Sequence, residues 1–104
     1  LRAPLLQKVS GEEAERRVAS GAIWIDVRFA AEYRNDGFPG AINIPLDDIR
    51  QASASLDPSL EYIVYCQTGR RSSAAAFLLS QRGFNAVLLD GGMRAHTGVM
   101  ESAV

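Results

Sequence analysis

The chain of 104 residues contains one cysteine and one histidine. A lone cysteine cannot form an internal disulfide, and a metal site built on several cysteines is excluded with it. No metal or cofactor is expected. No apolar run approaches the ~20 residues that a membrane-crossing helix needs, so no membrane partner is expected. An excess of one charge sign is also missing: 11 Lys and Arg stand against 12 Asp and Glu, for a net charge of -1. No overall field then draws the chain to nucleic acid or anionic lipid, and any anion site must be built locally. Residues 1–6 lack the charged stretch and long apolar stretch of a signal peptide, so the cytoplasm is the expected compartment. An initiator Met is absent too. The expectation is one domain over residues 1–104, with its core at about 8–97, excised from a larger protein and possible to link covalently to a neighbouring domain.

What is present reads as alternating strands and helices. Ser10-Gly-Glu-Glu13 resembles a capping box that opens a helix through about Ser20, stopped by Gly21. The apolar run Ala22 to Val27, broken only by Asp26, suggests a central parallel strand buried on both faces. A short helix is expected from Ala30 to Asn35, a turn at Phe38 to Ala41, and a short strand from Ala41 to Ile44 ended by Pro45. Leu46 to Ala52 reads as another helix, with Asp47 and Asp48 in its first turn. Tyr62 to Tyr65 is the second strong strand. The helix after it is expected from Ser72 to Gln81, burying Ala74, Phe77 and Leu78. Ala86 to Leu89 forms a third strand, and Asp90-Gly91-Gly92 turns into a last short helix. Residues 98–104 are expected to fray. The pattern predicts an α/β fold with a mostly parallel sheet.

Cys66 follows the second strand at once and starts a tight loop feeding a helix. Ligands of parallel α/β sheets bind at the carboxyl ends of the strands. A helix start also offers free N–H groups and a partial positive charge, which stabilise an anion. The anion here would be the Cys66 thiolate. Gly69 permits the positive φ that closes the loop. Thr68 and Ser72 offer hydroxyl donors, and Arg70 and Arg71 add positive charge. Such surroundings lower a thiol pKa from about 8.5 to roughly 3.5–7.5.

These residues resemble the rhodanese family. Its active-site loop runs Cys-x-x-Gly-x-Arg, commonly followed by Ser, and Cys66-Gln-Thr-Gly69-Arg-Arg71-Ser72 is similar to it. Asp26-Val-Arg28 resembles the family's Asp-x-Arg motif. Glu32-Tyr33, Pro39-Gly-Ala-Ile-Asn43-Ile-Pro45 and Leu89-Asp-Gly-Gly92-Met resemble later stretches in the same order. The resemblance implies a rhodanese-like fold: a central, mostly parallel sheet with helices on both faces. It implies catalysis by Cys66, which takes sulfane sulfur as a persulfide from a small sulfur-containing anion such as thiosulfate. An external thiol or cyanide is the implied acceptor. Arg71 is expected to help hold the donor, Arg70 to face the mouth, and amides from Gln67 through Thr68 and Gly69 to Ser72 to cradle the sulfur. Asp26 and Arg28 are expected to support the site structurally. Glu32 is expected to be a surface or ion-pairing residue, and Trp24 a core residue.

Cys66 to Arg71 counts six residues, where the phosphatases and arsenate reductases of the same family tend to have seven and a wider pocket. Six favours a single sulfur over a tetrahedral oxyanion. A regulatory or sulfur- or redox-sensing module in a multidomain protein is the alternative reading, and a phosphatase or arsenate reductase the weaker one. Two positions depart from the family pattern. Asp36-Gly37-Phe38 stands where Gly-His-Ile is common, and His96 stands where Trp is common. Both can reshape the pocket rim. A Cys66–His96 pair is conceivable, although a pre-formed thiolate needs no general base.

Overall fold

The computed structural model of the protein describes residues 6–96; the segment expected to fray, 98–104, lies outside them. Five parallel strands form one sheet: β1 (Lys8–Val9), β2 (Ile23–Asp26), β3 (Ile42–Asn43), β4 (Glu61–Tyr65) and β5 (Asn85–Leu89). Their spatial order is β1-β5-β4-β2-β3, so the two strands with the strongest apolar runs, β2 and β4, lie side by side. Among the described residues, the helices α1 (Gly11–Ala19), α2 (Ala30–Asp36), α3 (Ile49–Ala52) and α4 (Arg70–Gln81) accompany them. Residues 92–96 are helical as well.

Period-two alternation along each strand divides the core. Trp24, Ile63, Tyr65, Val87 and Leu89 pack on one face with Ala14 of α1, and Tyr33 of α2 leans on that cluster. Ile25, Tyr62, Val64, Cys66 and Ala86 pack on the other with Ile49 of α3 and Ala75, Ala76 and Leu79 of α4. Helices therefore cover both faces of an all-parallel α/β sheet, as such a sheet requires.

Local chemistry sets several boundaries. Ser10 caps α1 by accepting the Glu13 N–H at 3.1 Å. The Glu13 carboxylate does not return to the cap; it takes the Arg16 Nε at 3.3 Å. The helix expected over 46–52 is divided into a 3-10 turn (Leu46–Asp48) and α3, and a second 3-10 turn (Ser53–Ser55) follows it. Asp48 has its N–H on the carbonyl of Pro45, which fits the tighter turn. The two-residue β1 carries too little pattern to be read from sequence.

The helix after β4 corrects a further sequence expectation. α4 begins at Arg70, not Ser72, and buries Ser72, Ala75, Ala76 and Leu79. Ala74 is exposed, Phe77 is 42% exposed and Leu78 is only half-buried. Ser72 is held against Cys66, which sets the rotation of the helix and directs 72, 75, 76 and 79 inward at i, i+3, i+4 and i+7. The small side chains at three of these positions let α4 lie close to the sheet.

Candidate active site

The Cys66 loop begins where β4 ends. Asp26 pairs with Tyr65 in the β2–β4 register, and the Val27 N–H donates to the Tyr65 carbonyl at 3.1 Å. The chain segments after β2 and β4 therefore leave the sheet next to each other at its carboxyl edge. Gly69 adopts φ +108°, a region that side chains disfavour, and so turns the loop into α4 within three residues of the cysteine.

This turn aims donors at sulfur. Cys66 Sγ accepts from the Gly69 N–H at 3.1 Å and the Ser72 N–H at 3.4 Å. The Ser72 hydroxyl lies 3.3 Å away. Burial opposes charge on the thiol, but hydrogen bonds from the Ser72 hydroxyl and from the amides of Ser72, Gly69 and Thr68 outweigh it. The net effect is a pKa below that of an ordinary thiol. Cys66 is only 1% exposed, so its sulfur sits beneath the loop and not on an open surface.

The loop's carbonyls are satisfied from behind. Cys66 O accepts from the Met93 N–H at 2.9 Å, and Gln67 O accepts from the Arg94 N–H at 3.2 Å. Gly92, at φ +68°, fits against the same two carbonyls; a Cβ there would come within 2.6 Å of both oxygens. Gly69 O accepts from the Ser73 N–H at 3.0 Å and the Ser73 hydroxyl at 2.6 Å. With its acceptors engaged elsewhere, the loop turns donors toward the sulfur.

Two arginine–carboxylate pairs flank this cradle. Asp26 Oδ1 accepts from the Arg28 N–H at 2.9 Å and Nε at 3.1 Å, and Oδ2 accepts from Nη2 at 2.9 Å. Arg28 Nη1 lies 2.9 Å from Asp36 Oδ1 and within 3.5 Å of Gln67 Oε1. Burial opposes the guanidinium's charge, but the hydrogen bonds it donates to Asp26 and Asp36 outweigh that and hold Arg28 protonated. The Asn43 amide donates to the carbonyls of Asp26 and Arg28 at 3.0 Å each, tying β3 to the same bend.

The second pair stands at the rim. Arg71 Nη1 donates to Glu32 Oε1 at 2.8 Å, and Nη2 donates to Oε2 at 3.1 Å. Glu32 Oε1 also accepts from the Phe29 N–H at 3.1 Å. The Arg71 guanidinium beside Glu32 holds its carboxyl down at about 2, and the pair raises the pKa of Arg71 in turn. Arg71 Cζ lies 5.7 Å from the centre of the Phe29 ring, which is itself 63% exposed.

The structure thus brings Cys66, Gly69 and Ser72 into direct contact. Gln67, Thr68 and Arg70 are exposed on the loop and the first residue of α4. Arg71 points its fork at Glu32. His96 does not join Cys66. It is buried against Trp24 and Phe38 on the other face of the sheet, with ring centres 5.6 and 4.7 Å away. Its Nε2 is 2.9 Å from Glu15 Oε1, yet the geometry is not that of a hydrogen bond, and both ring nitrogens lack a partner. Phe38, one of the departures from the family pattern, stacks on Tyr65 at 4.2 Å. Gly37 is required by the Tyr33 ring packed against it. Among the described residues, no cluster of three or more metal-ligating side chains exists, and no helix is long and apolar enough to cross a membrane.

Neither the partner of Arg71 nor the backing of the loop by 92–94 shows in the local sequence. Glu32 and Arg71 are 39 residues apart, and only the fold brings them together. The Gly91-Gly92 pair was a visible signal, but not what it would press against.

Comparison with known proteins agrees with this fold. The model of the rhodanese-like domain matches residues 10–98. The chain is 40% identical over 73 residues to thiosulfate sulfurtransferase PspE of Escherichia coli, covering 68% of this chain and 70% of that protein. It is 36% identical over 78 residues to the putative sulfur carrier protein YrkF of Bacillus subtilis, covering 74% of this chain but only 42% of that protein. Among solved structures, a rhodanese-related protein from Thermoplasma volcanium superposes with a TM-score of 0.84 at 28% identity, covering 89% of this chain and 92% of that one. With the domain model spanning most of its length and the Cys66 loop in place, the chain belongs to the rhodanese-like domain family.

Proposed function

We propose that the protein is a sulfurtransferase that carries sulfane sulfur as a persulfide on Cys66. The observation that supports this reading is the set of N–H and O–H donors from Gly69 and Ser72 on Cys66 Sγ. The thiolate attacks the outer sulfur of thiosulfate. The sulfur–sulfur bond of the donor breaks, and sulfite leaves with the bonding pair. A persulfide anion remains on Cys66, and cyanide or an external thiol then removes its terminal sulfur. This is covalent catalysis in two steps. With one cysteine in the sequence, the second step requires an acceptor from outside the chain. In this reading, amides from Gln67 to Ser72 hold the negative charge as it moves to the terminal sulfur. Arg70, and Arg71 as far as Glu32 leaves its charge unbalanced, attract the anionic donor, and Asp26 with Arg28 keeps the bend after β2 rigid.

Intact mass after thiosulfate exposure tests the first half-reaction. The expected result is a gain of one sulfur atom that cyanide reverses with release of thiocyanate, and that is absent in Cys66→Ser. An unchanged mass with thiosulfate and with hydropersulfides would overturn the reading.

A further inference from the structure

We infer that Glu32 sets the charge of the donor this site accepts: by holding Arg71 in a neutral pair it disfavours dianions such as thiosulfate relative to hydropersulfides that react uncharged. This inference rests on the sulfurtransferase reading above.

The argument starts from which charges at the mouth are free. Arg28 is committed to Asp26 and Asp36. Both terminal nitrogens of Arg71 are committed to the two oxygens of Glu32. The guanidinium is further located by the Phe29 ring, and Phe29 is fixed by its own N–H on Glu32. Arg71 therefore cannot turn to a donor without leaving both carboxylate oxygens. Arg70 is exposed and has no ion-pair partner among the described residues. The arginine of the loop that would hold a donor is thus already balanced, beside a nucleophile that is itself anionic. A donor with two negative charges gains no net attraction from the Arg71–Glu32 pair to offset its repulsion by the Cys66 thiolate. An uncharged donor meets no such opposition, and the exposed Phe29 offers it apolar surface.

The two donors deliver sulfur by balanced steps that differ only in charge. From thiosulfate, Cys66 takes the outer sulfur and sulfite leaves as a dianion. From a protonated hydropersulfide, Cys66 takes the terminal sulfur, the sulfur–sulfur bond breaks, the thiol leaves as thiolate, and the proton stays on the transferred sulfur.

Single-turnover formation of the Cys66 persulfide, followed against donor concentration in mildly acidic buffer that keeps the hydropersulfide protonated, tests the idea with thiosulfate and with the hydropersulfide of 2-mercaptoethanol. Glu32→Gln is expected to lower the half-saturating thiosulfate concentration about two- to fivefold while leaving that for the hydropersulfide and both limiting rates nearly unchanged. Glu32→Asp, which keeps the charge, should stay close to the wild-type ratio. Should Glu32→Gln not fold, Glu32→Ala asks the same question: the carboxylate is again removed, and the thiosulfate value alone should fall. An equal change for both donors, or none, overturns the inference while leaving the sulfurtransferase reading intact. Failure of the wild-type protein to form a persulfide with either donor overturns that reading instead.

Discussion

The two arginine–carboxylate pairs beside Cys66 have similar chemistry at different depths. Asp26 and Arg28 are 0% and 2% exposed, and their bonds extend to Asp36 and to the amide of Asn43. Arg71 and Glu32 are each about one-third exposed and span the rim between α4 and α2. A buried pair is costly to desolvate and costly to break, because removing one partner strands the other charge. A rim pair is screened by water and contributes little to stability. Depth therefore assigns the tasks: the inner pair shapes the bend that carries the site, and the outer pair adjusts the charge that a ligand meets.

The largest expected effect lies at the inner pair. Asp26→Asn keeps an acceptor for the Arg28 N–H but leaves the guanidinium with only the half-exposed carboxylate of Asp36. Urea unfolding should show a loss of about 3–5 kcal/mol. A loss under 1 kcal/mol would remove the distinction between the two pairs. Arg28→Lys comes next. Lysine keeps the charge but cannot reproduce the fork on Asp26, and the expected cost is about 1.5–3 kcal/mol by the same measurement. The smallest effect belongs to Glu32→Gln, at about 0.2–1 kcal/mol near pH 7.

The rim pair also carries a pH signature. The folded carboxyl of Glu32 titrates at about 2, below the ordinary 4.5. Its contribution is then complete above the ordinary carboxylate range and is lost as pH falls through the folded value. The stability gap between wild type and Glu32→Gln should be widest above about pH 5 and close toward pH 2. A gap that widens on acidification would show that Glu32 does not act through its charge.

Legibility followed sequence distance. The Cys66 loop could be read because its donors, its turn glycine and its helix start all fall within seven consecutive residues. β2 and β4 could be read because buried parallel strands are continuous apolar runs. The inward face of α4 was misread: Ala74, Phe77 and Leu78 have helical spacing, but so do Ser72, Ala75, Ala76 and Leu79. Hydrophobicity favours the first set. The hydrogen bonds to Cys66 decide for the second, and Phe77 is left at the surface. His96 shows the converse. As the only histidine it invited pairing with the only cysteine, yet it packs among aromatic rings on the opposite face of the sheet.

By itself, the sequence determined the alternation of strands and helices, the parallel sheet, and the position of the lone thiol between a strand end and a helix start. Those follow from local periodicity and from the residue types that a tight anion-holding turn needs. Only the tertiary structure decided which way α4 faces, that 92–94 support the loop from behind, and that Glu32 occupies the fork of Arg71. Each of these joins segments well separated in sequence, through directional hydrogen bonds that no local pattern encodes.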